Sequence, residues 1–268
     1  MTLPRADHLV FARGTTRVFA HRGGARLRPE NTLAAFEHGL AVGADGLELD
    51  VRLARDGEVV VIHDATLDRT TDAKGAVADR TASELAAVDA GYWFDRNGET
   101  PYRGAGFGIP RFSDVLNRFR GLPLIVELKG DDVRLAHAVV SLLREADAWS
   151  FVCLASFSDG QLREVRKLAP HAVTSAAKEE IRRALYGSWV GIAPRRPAYR
   201  GFQLPERFGT TRVVSKRFVH LMAARGLPIQ VWTVNDATAM QRLIDWGVSG
   251  LITDRPDVAR EVVDNFED

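Results

Sequence analysis

The chain has 268 residues, 46% of them hydrophobic, and its 36 basic and 35 acidic residues give a formal net charge of +1. This length and apolar content suffice for one large domain with a sizeable core. The balanced charge argues neither for nucleic acid nor for an acidic membrane surface as a partner, so local cations would have to hold any anionic ligand. The single cysteine, Cys153, cannot form a disulfide within the chain and reads as a small core residue.

The first 16 residues lack the long apolar run of a signal peptide, and no segment approaches the roughly 20 apolar residues of a membrane-spanning helix. We therefore expect no membrane insertion and a cytoplasmic location. Residues 1–16 are interpreted as an N-terminal segment, followed by a single domain over residues 17–268. The sequence carries no signal for a particular oligomeric state.

From residue 17 onward, short aliphatic runs alternate with amphipathic stretches, which is typical of strands alternating with helices. In chain order, strands are predicted at residues 17–20, 45–52, 58–63, 122–129, 150–156, 172–175, 201–204, 228–234 and 250–253. Helices are predicted between them at residues 31–42, 112–119, 133–145, 159–168, 178–186, 215–225, 237–246 and 256–266.

The run at 58–63 follows its predecessor across the short turn ARDGE, so we predict an antiparallel hairpin there. Setting this run aside leaves eight strand–helix repeats in about 250 residues, which matches an α/β fold of the TIM, or (β/α)8, barrel type. Because the carboxyl ends of all barrel strands meet at one rim, polar side chains at those ends are expected to lie close together.

The longest interruption of this rhythm spans about residues 65–110. It contains turn residues, a predicted helix N-cap at Thr81 or Ser83, and a run of aromatic residues at 92–94. An excursion of this size with its own apolar residues is predicted to form a small subdomain, inserted after the second strand region and covering the rim of the barrel.

The second predicted strand carries two acidic residues on one face. Glu48 and Asp50 alternate with Leu47, Leu49 and Val51, so the two acids lie about 6.5 to 7 Å apart along the strand. Carboxylates aligned in this way repel each other, and a hard divalent cation such as Mg2+ or Ca2+ relieves the repulsion. If this pattern stood alone, the alternative to a metal site would be that both carboxylates simply face water at the edge of a strand.

A third carboxylate and a cation stand at the end of the next buried strand. Glu127 and Lys129 share one face there, and the ammonium group could neutralise a phosphate oxygen unless the two form only a surface salt bridge. Two histidines, His21 and His63, also lie at strand ends beside charged neighbours. Together these groups are the parts needed to bind a metal and a phosphate and to transfer protons.

Short motifs follow one another along residues 17–257: HRGG at 21–24, PENT at 29–32, ELD at 48–50, HD at 63–64, LDRTT at 67–71, ELK at 127–129, GFQ ending at 203, VWTVND at 231–236 and GVSGLITDRPD at 247–257. As an ordered set they resemble the glycerophosphodiester phosphodiesterases. The resemblance implies a TIM barrel that hydrolyses glycerophosphodiesters to sn-glycerol 3-phosphate and an alcohol. It also implies one divalent cation as cofactor, Mg2+ or Ca2+, with Mn2+ as an alternative.

Carried over to the matching positions, the resemblance implies three metal ligands, an acid–base pair of histidines, two phosphate-binding cations and two supporting residues. In that order these are Glu48, Asp50 and Glu127; His21 and His63; Arg22 and Lys129; and Glu30 and Asn31. The expected partner is a small-molecule glycerophosphodiester. The sequence does not assign the acid and the base between the histidines, nor does it define whether water or a glycerol hydroxyl attacks first.

Gln203 and Trp232 lie near strand ends and are hypothesised to contact the substrate. A tryptophan at the rim could offer a flat apolar wall to a glycerol backbone, or it could pack the top layer of the barrel. The segment 187–201 is a candidate rim loop with two adjacent arginines, although solvated surface arginines are the simpler interpretation. The remaining tryptophans are expected to be structural: Trp93, Trp149, Trp189 and Trp246.

Two other classes of function are open. A phospholipase D of the sphingomyelinase or lysophospholipase type shares the barrel and the two-histidine chemistry. It would need an apolar surface for membrane docking, and the largely polar 65–110 insertion argues against that. A non-catalytic phosphate-binding module would be favoured if one of the acids or histidines were missing, and all of them are present.

Overall fold

Aliphatic runs form the parallel strands of a barrel in this structure, a computed structural model that describes residues 8–12 and 14–267. The strands are β1 (Arg17–His21), β2 (Gly46–Leu53), β3 (Val59–Val61), β4 (Leu124–Leu128), β5 (Val152–Ala155), β6 (Val173–Thr174), β7 (Phe202–Pro205), β8 (Arg207–Phe208), β9 (Thr211–Arg212), β10 (Ile229–Trp232) and β11 (Gly250–Thr253). Eight of them pair side by side in the order β6-β5-β4-β2-β1-β11-β10-β7.

The ring closes between β6 and β7 through a short seam. Ser175 forms an isolated parallel bridge with Gly201. The Ala176 N–H donates to the Gly201 carbonyl at 3.0 Å, and the Arg200 N–H donates to the Thr174 carbonyl at 3.0 Å. The predicted α/β fold of the TIM-barrel type is therefore confirmed.

Helices surround this ring. They are α1 (Leu33–Ala41), α2 (Ala82–Ala86), α3 (Phe112–Arg118), α4 (Val133–Glu145), α5 (Asp159–Leu168), α6 (Lys178–Trp189), α7 (Lys216–Ala223), α8 (Ala237–Asp245) and α9 (Pro256–Glu267). Several begin at a residue whose side-chain oxygen accepts a hydrogen bond from the first turn, which satisfies a free helical N–H. These N-caps are Thr32, Thr81, Asp132, Ser215 and Asp236.

The predicted hairpin is confirmed, because β3 pairs antiparallel with β2 and Val61 lies opposite Val51. Helices α4 and α5 and strand β11 have the predicted bounds. Four strands, β3, β4, β5 and β10, are each three residues shorter than predicted, and β6 is two residues shorter. Strands β2 and β7 keep the predicted length but are shifted by one residue, and β1 is one residue longer than predicted. Helix α6 runs on to Trp189 instead of ending at residue 186. The small β8–β9 hairpin was not predicted, since its two-residue strands are too short to show a period.

The interior of the barrel is apolar below the strand ends. This buried layer consists of Phe19, Ile125, Cys153 and Ile252, with Val10 and Phe11 of the N-terminal segment packed beneath it. Gln230 fixes that segment by donating from Nε2 to the Val10 carbonyl at 2.7 Å. Residues 8–12 therefore close the floor of the barrel, and polar chemistry is confined to the opposite end.

The segment between β3 and α3 has a small core of its own. Leu67, Val77 and Leu85 are fully or almost fully buried there, against Val60 and Ile62 of the β3 region. Helix α2 supplies part of this core and begins with a capping box at Thr81, one of the two predicted caps. In the part of the chain that the structure describes, no helix is both long and apolar enough to cross a membrane.

Phe19→Ala should lower the free energy of unfolding by about 3 to 5 kcal/mol, because the surrounding barrel cannot collapse into the space left by a fully buried ring. Chemical denaturation measures the change. Ile192→Ala is the control, since Ile192 is 64% exposed and its loss should change stability by about 0.5 kcal/mol or less. Equal effects of the two substitutions would contradict the interior position of Phe19.

Candidate active site

Three carboxylates meet at the carboxyl ends of β2 and β4. Glu48 and Asp50 both point into the barrel from β2, and Glu127 of β4 lies in register beside Asp50. One carboxylate oxygen from each of the three residues lies within 4.8 Å of the other two. Glu48 and Asp50 are buried and Glu127 is half-buried. The alternative of a water-facing strand edge therefore does not apply to this pair.

The electrostatics of this acidic cluster (Glu48, Asp50 and Glu127) suit a cation. Burial and the Asp50 carboxylate raise the pKa of the Glu48 carboxyl to about 7. Burial, with a further contribution from Asp50, also raises the pKa of Glu127 above its ordinary value. Both pKa values are raised because an ionised carboxylate is unfavourable when it is buried away from water and close to another negative charge. Three clustered carboxylate oxygens that repel one another fit a hard divalent ion such as Mg2+, Ca2+ or Mn2+.

Asp50 has the most ion-pair and hydrogen-bond partners of the three acids in the cluster. The Lys129 ammonium lies 2.9 Å from its Oδ1, and Arg22 Nε lies 3.1 Å from its Oδ2. The Asn31 amide donates to Oδ2 at 2.9 Å and accepts from the Asp50 N–H at 3.3 Å. Burial alone would raise the pKa of Asp50, but Lys129 and Arg22 outweigh it and hold that pKa below its ordinary value. Asp50 is therefore ionised.

The loop after β1 is shaped to reach this cluster. Arg22 and Asn31 both have left-handed backbones, with φ of 51° and 57°. The Asn31 N–H donates to the Arg22 carbonyl at 2.9 Å, which closes the loop. Gly23 follows with φ of +86°, and a Cβ there would lie 2.7 Å from the backbone of α1. Glycine is thus required at the third position of HRGG so that the loop can pack against the helix.

Arg22 also binds two further acids of the site. Its backbone N–H donates to Glu48 Oε2 at 3.1 Å, and its Nη1 donates to Glu30 Oε1 at 3.0 Å. The structure therefore brings Arg22, Glu30 and Asn31 to the acidic cluster.

His21 lies between two carboxylates at the end of β1. Its Nδ1 is 2.6 Å from Asp254 Oδ1, and its Nε2 is 3.9 Å from Glu48 Oε2. Asp254 is held in turn by the Asn235 amide at 2.7 Å. Burial lowers the pKa of the His21 imidazole, but Glu48 and Asp254 outweigh burial and raise it above the ordinary value.

His63 has a similar carboxylate partner, but its pKa is shifted in the opposite direction. Its Nδ1 lies 2.6 Å from Asp64 Oδ1, while Arg69 Nε donates to Asp64 Oδ2 at 2.6 Å. Burial lowers the pKa of His63. Against the opposing effect of burial, the bonds from Arg69 and His63 lower the pKa of Asp64 to about 2. An ionised carboxylate can only accept a hydrogen bond, so each histidine carries a proton on Nδ1 and donates it to its aspartate. The other ring nitrogen, Nε2, is therefore the one that faces the site.

Arg69 connects the inserted segment to the barrel. Besides Asp64, it binds both oxygens of Glu30, with each bond 2.8 Å long. Arg69, Asp254 and Asn235 were not predicted from the sequence to belong to the site. All three lie within the motifs LDRTT, GVSGLITDRPD and VWTVND, but a pairing such as His21 with Asp254, 233 residues apart, has no local signal.

Lys129 extends the cluster toward an aromatic pair. Its ammonium donates to Glu127 Oε1 at 2.7 Å and lies 6.0 Å from the centre of the Phe157 ring. Phe157 in turn packs edge-on against Trp232, with ring centres 5.8 Å apart. Trp232 is half-buried and thus borders the cluster through Phe157.

Gln203 binds another buried glutamine and not this cluster. Its Nε2 donates to Gln230 Oε1 at 3.0 Å, and Gln230 itself is bonded to the floor of the barrel. Across residues 8–12 and 14–267, no hydrogen bond joins Gln203 to the acidic cluster. Among the residues predicted for the site, Gln203 is the one that the structure does not bring together with the others.

Residues 21–258 match the sequence profile of the Glycerophosphoryl diester phosphodiesterase family. The chain belongs to this family. This result confirms the resemblance noted from the motifs and the prediction that the protein is a phosphodiesterase.

Individual proteins of known sequence or structure are similar to this protein over almost the whole chain. A glycerophosphodiester phosphodiesterase from Caldanaerobacter subterraneus subsp. tengcongensis is 36% identical over 253 residues, which cover 92% of this chain and 98% of that protein. The crystal structure of a glycerophosphodiester phosphodiesterase from Agrobacterium tumefaciens aligns with a TM-score of 0.75 at 29% identity, covering 92% of this chain and 99% of that chain. An Oleispira antarctica phosphodiesterase in complex with the product sn-glycerol-3-phosphate aligns with a TM-score of 0.74 at 26% identity, over 93% and 97% of the two chains.

Asp254→Asn should lower the pKa of His21, because the substitution removes a negative charge 2.6 Å from Nδ1 and leaves burial as the larger influence. NMR titration of the imidazole signals measures the shift. His8, whose pKa burial lowers to about 4, is the internal control and should not move. An unchanged His21 pKa would contradict the ion pair with Asp254.

Proposed function

We propose that this phosphodiesterase hydrolyses glycerophosphodiesters to sn-glycerol 3-phosphate and an alcohol, with one divalent cation bound at the acidic cluster. The observation that carries the proposal is the convergence of three carboxylates, two cations and two carboxylate-bound histidines at one end of the barrel. The names of the relatives, and the product bound to the Oleispira antarctica protein, point to the same substrate class.

Glu48, Asp50 and Glu127 would hold the cation, since their oxygens cluster within 4.8 Å and two of the carboxyls have raised pKa values. When bound, a divalent cation neutralises negative charge on a phosphoryl oxygen. The set contains only carboxylates, which favours Mg2+, Ca2+ or Mn2+ over zinc.

Lys129 and Arg22 are the cations available to the phosphate. The barrier to attack on a phosphodiester arises largely from its negative charge, which repels the nucleophile. Both cations are fixed beside Asp50 before the substrate arrives, so little reorganisation is needed when charge develops. Each well-placed donor of this kind contributes about 3 to 4 kcal/mol of transition-state stabilisation.

His21 and His63 would transfer the protons. One histidine takes the proton of the attacking hydroxyl or water, and the other gives a proton to the departing alkoxide. Asp254 and Asp64 hold the Nδ1–H of each ring, so that Nε2 is the nitrogen that exchanges protons. Glu30 and Asn31 act as supports, Glu30 by anchoring Arg22 and Asn31 by anchoring Asp50.

We place the glycerol part of the substrate against Trp232 and Phe157. This aromatic pair adjoins Lys129, so a phosphate bound at Lys129 would bring the neighbouring carbon chain to an apolar surface. Gln203 would then act from the layer beneath, by fixing Gln230 and the floor of the pocket.

Metal dependence is the first test of this proposal. Glycerophosphocholine hydrolysis, followed as release of sn-glycerol 3-phosphate, should stop in excess EDTA and return with Mg2+, Ca2+ or Mn2+. Glu127→Gln should weaken metal binding measured by calorimetry, because an amide cannot replace the lost charge. Glu261→Gln, at an exposed glutamate of α9, is the matched control and should behave as the parent.

Unchanged turnover in excess chelator would disprove the metal assignment. Release of choline from lysophosphatidylcholine, sphingomyelin and glycerophosphocholine, measured side by side, distinguishes the phospholipase D alternative. Faster release of choline from either lipid than from glycerophosphocholine would favour that alternative over the proposed activity.

His21→Ala and His63→Ala should each lower kcat by about 10²- to 10⁴-fold, because each removes a proton-transfer group. The thermal midpoint should stay within a few degrees, since neither residue is part of the apolar core. The double variant should be far less impaired than the product of the single effects, because residues that act together are not additive. His220→Ala, at an exposed histidine of α7, is the control. Near-parental kcat in either single variant would make that histidine structural.

A further inference from the structure

The end of α6 exposes a group of large apolar side chains. Tyr186 is 53% exposed, Trp189 60%, Val190 71% and Ile192 64%. We call these four residues the α6 patch. Trp189 was predicted to be structural, but its exposure shows that it is not packed in the core. A cluster of this kind is unusual on a protein surface and indicates a binding surface.

The α6 patch is contiguous. The rings of Tyr186 and Trp189 have centres 5.0 Å apart. The chain then turns back, because the Ile192 N–H donates to the Gly187 carbonyl at 2.8 Å, which brings Ile192 against the last turn of the helix. The opposite side of α6 faces the protein through the buried residues Ala184 and Ser188.

The surroundings of the patch are strongly cationic, although the whole chain has a net charge of only +1. Residues 181–205 contain five arginines and no acidic residue. Four of these arginines are exposed: Arg182, Arg183, Arg195 and Arg196. A groove of about 250 Å³ is lined by Arg183, Ile192, Pro194 and Pro197, together with Glu180, so the Arg195–Arg196 pair adjoins the patch.

We propose that the α6 patch docks this protein on the surface of a membrane that contains anionic phospholipids. Tryptophan and tyrosine prefer the boundary between water and lipid, where the ring is buried and the polar atom stays hydrated. Aliphatic side chains enter the acyl boundary beside them, while arginines bind the phosphate head groups. The patch offers both kinds of group on one short stretch of chain.

Charge and chemistry favour a lipid surface over other partners. A symmetric contact between two copies of this chain would place Arg183, Arg195 and Arg196 opposite the same arginines of the other copy. The neighbouring acids of α6, Glu179 and Glu180, are already paired with Arg182 and Arg166. A nucleic acid would satisfy the arginines, but it offers no apolar phase for Val190 and Ile192. An anionic membrane accommodates both.

Docking and hydrolysis are separable, because the patch contains none of the residues placed at the active site. Vesicle sedimentation tests the proposal with the full chain at about 0.1 M salt, a concentration at which exposed charges still interact over about 10 Å. The protein should bind vesicles of phosphatidylcholine with one quarter phosphatidylglycerol, but not vesicles of phosphatidylcholine alone. About 0.5 M salt should weaken binding.

Substitutions identify the surface. Arg195→Gln with Arg196→Gln should lower the partition coefficient about 30-fold, and Tyr186→Ser with Trp189→Ser at least about 10-fold. Arg134→Gln is the matched charge control, at an arginine 83% exposed on α4. Trp93→Ser is the matched aromatic control, at a tryptophan 55% exposed in the inserted segment. All variants should keep parental hydrolysis of glycerophosphocholine in solution, which also verifies folding.

Several results would overturn the proposal. These are the failure of the parent to sediment with anionic vesicles, equal binding to neutral vesicles, or equal loss of binding in the control variants. Sedimentation velocity in the absence of lipid provides a further check. A dimer that the Tyr186→Ser and Trp189→Ser pair dissociates would assign the patch to self-association instead, and displacement of the protein from vesicles by RNA would assign it to nucleic acid.

Discussion

The ionised carboxylate of Asp50 is the constraint on which the rest of the site depends. A charge buried in a barrel is tolerated only when it is paired, and removing one partner of such a pair typically costs about 3 to 5 kcal/mol. Asp50 is therefore contacted by Lys129, which directly follows β4, and by Arg22 and Asn31 of the loop after β1. To reach it, Arg22 and Asn31 both adopt left-handed backbones. The cations proposed to bind phosphate are thus held in place by an acid that would also bind the metal.

The inserted segment takes part in this arrangement through Arg69. His63 stands on the return of the hairpin, outside the ring of strands, so its position depends on contacts with the insertion. Arg69 supplies them by binding Asp64, the partner of His63, and Glu30, the partner of Arg22. The separate apolar core around Leu67 and Leu85 gives this arginine a rigid base. The two histidines are therefore positioned by different parts of the chain, His21 by the barrel and His63 by the insertion.

Much of this could be predicted, because the signals were periodic or local. The alternation around Glu48 and Asp50 predicted their shared face, and barrel geometry predicted that Glu127 would join them. What could not be predicted depends on side chains that meet across long stretches of sequence. Asp254 pairs with His21 across 233 positions, and no local pattern marks it as a partner. The surroundings of Gln203 could not be predicted for the converse reason, since a position near a strand end does not reveal that its amide binds Gln230. The exposure of Trp189 could not be predicted from the sequence either, because Trp189 is the last residue of α6 and the helical period no longer indicates which side chains are buried there.

The seam between β6 and β7 determines where backbone hydrogen bonds of the barrel open most readily. The short strand β6 and a single bridge from Ser175 to Gly201 close the ring, whereas β2 and β4 share five residue pairs. In the strand order, the seam lies opposite β1 and β2. Amide hydrogens at the seam should consequently exchange with solvent through small local openings, while those of β1, β2 and β4 exchange only when the whole domain unfolds. The barrel can open on one side without disturbing the distances among the carboxylates on the other, so flexibility and catalytic precision occupy opposite walls of the same ring.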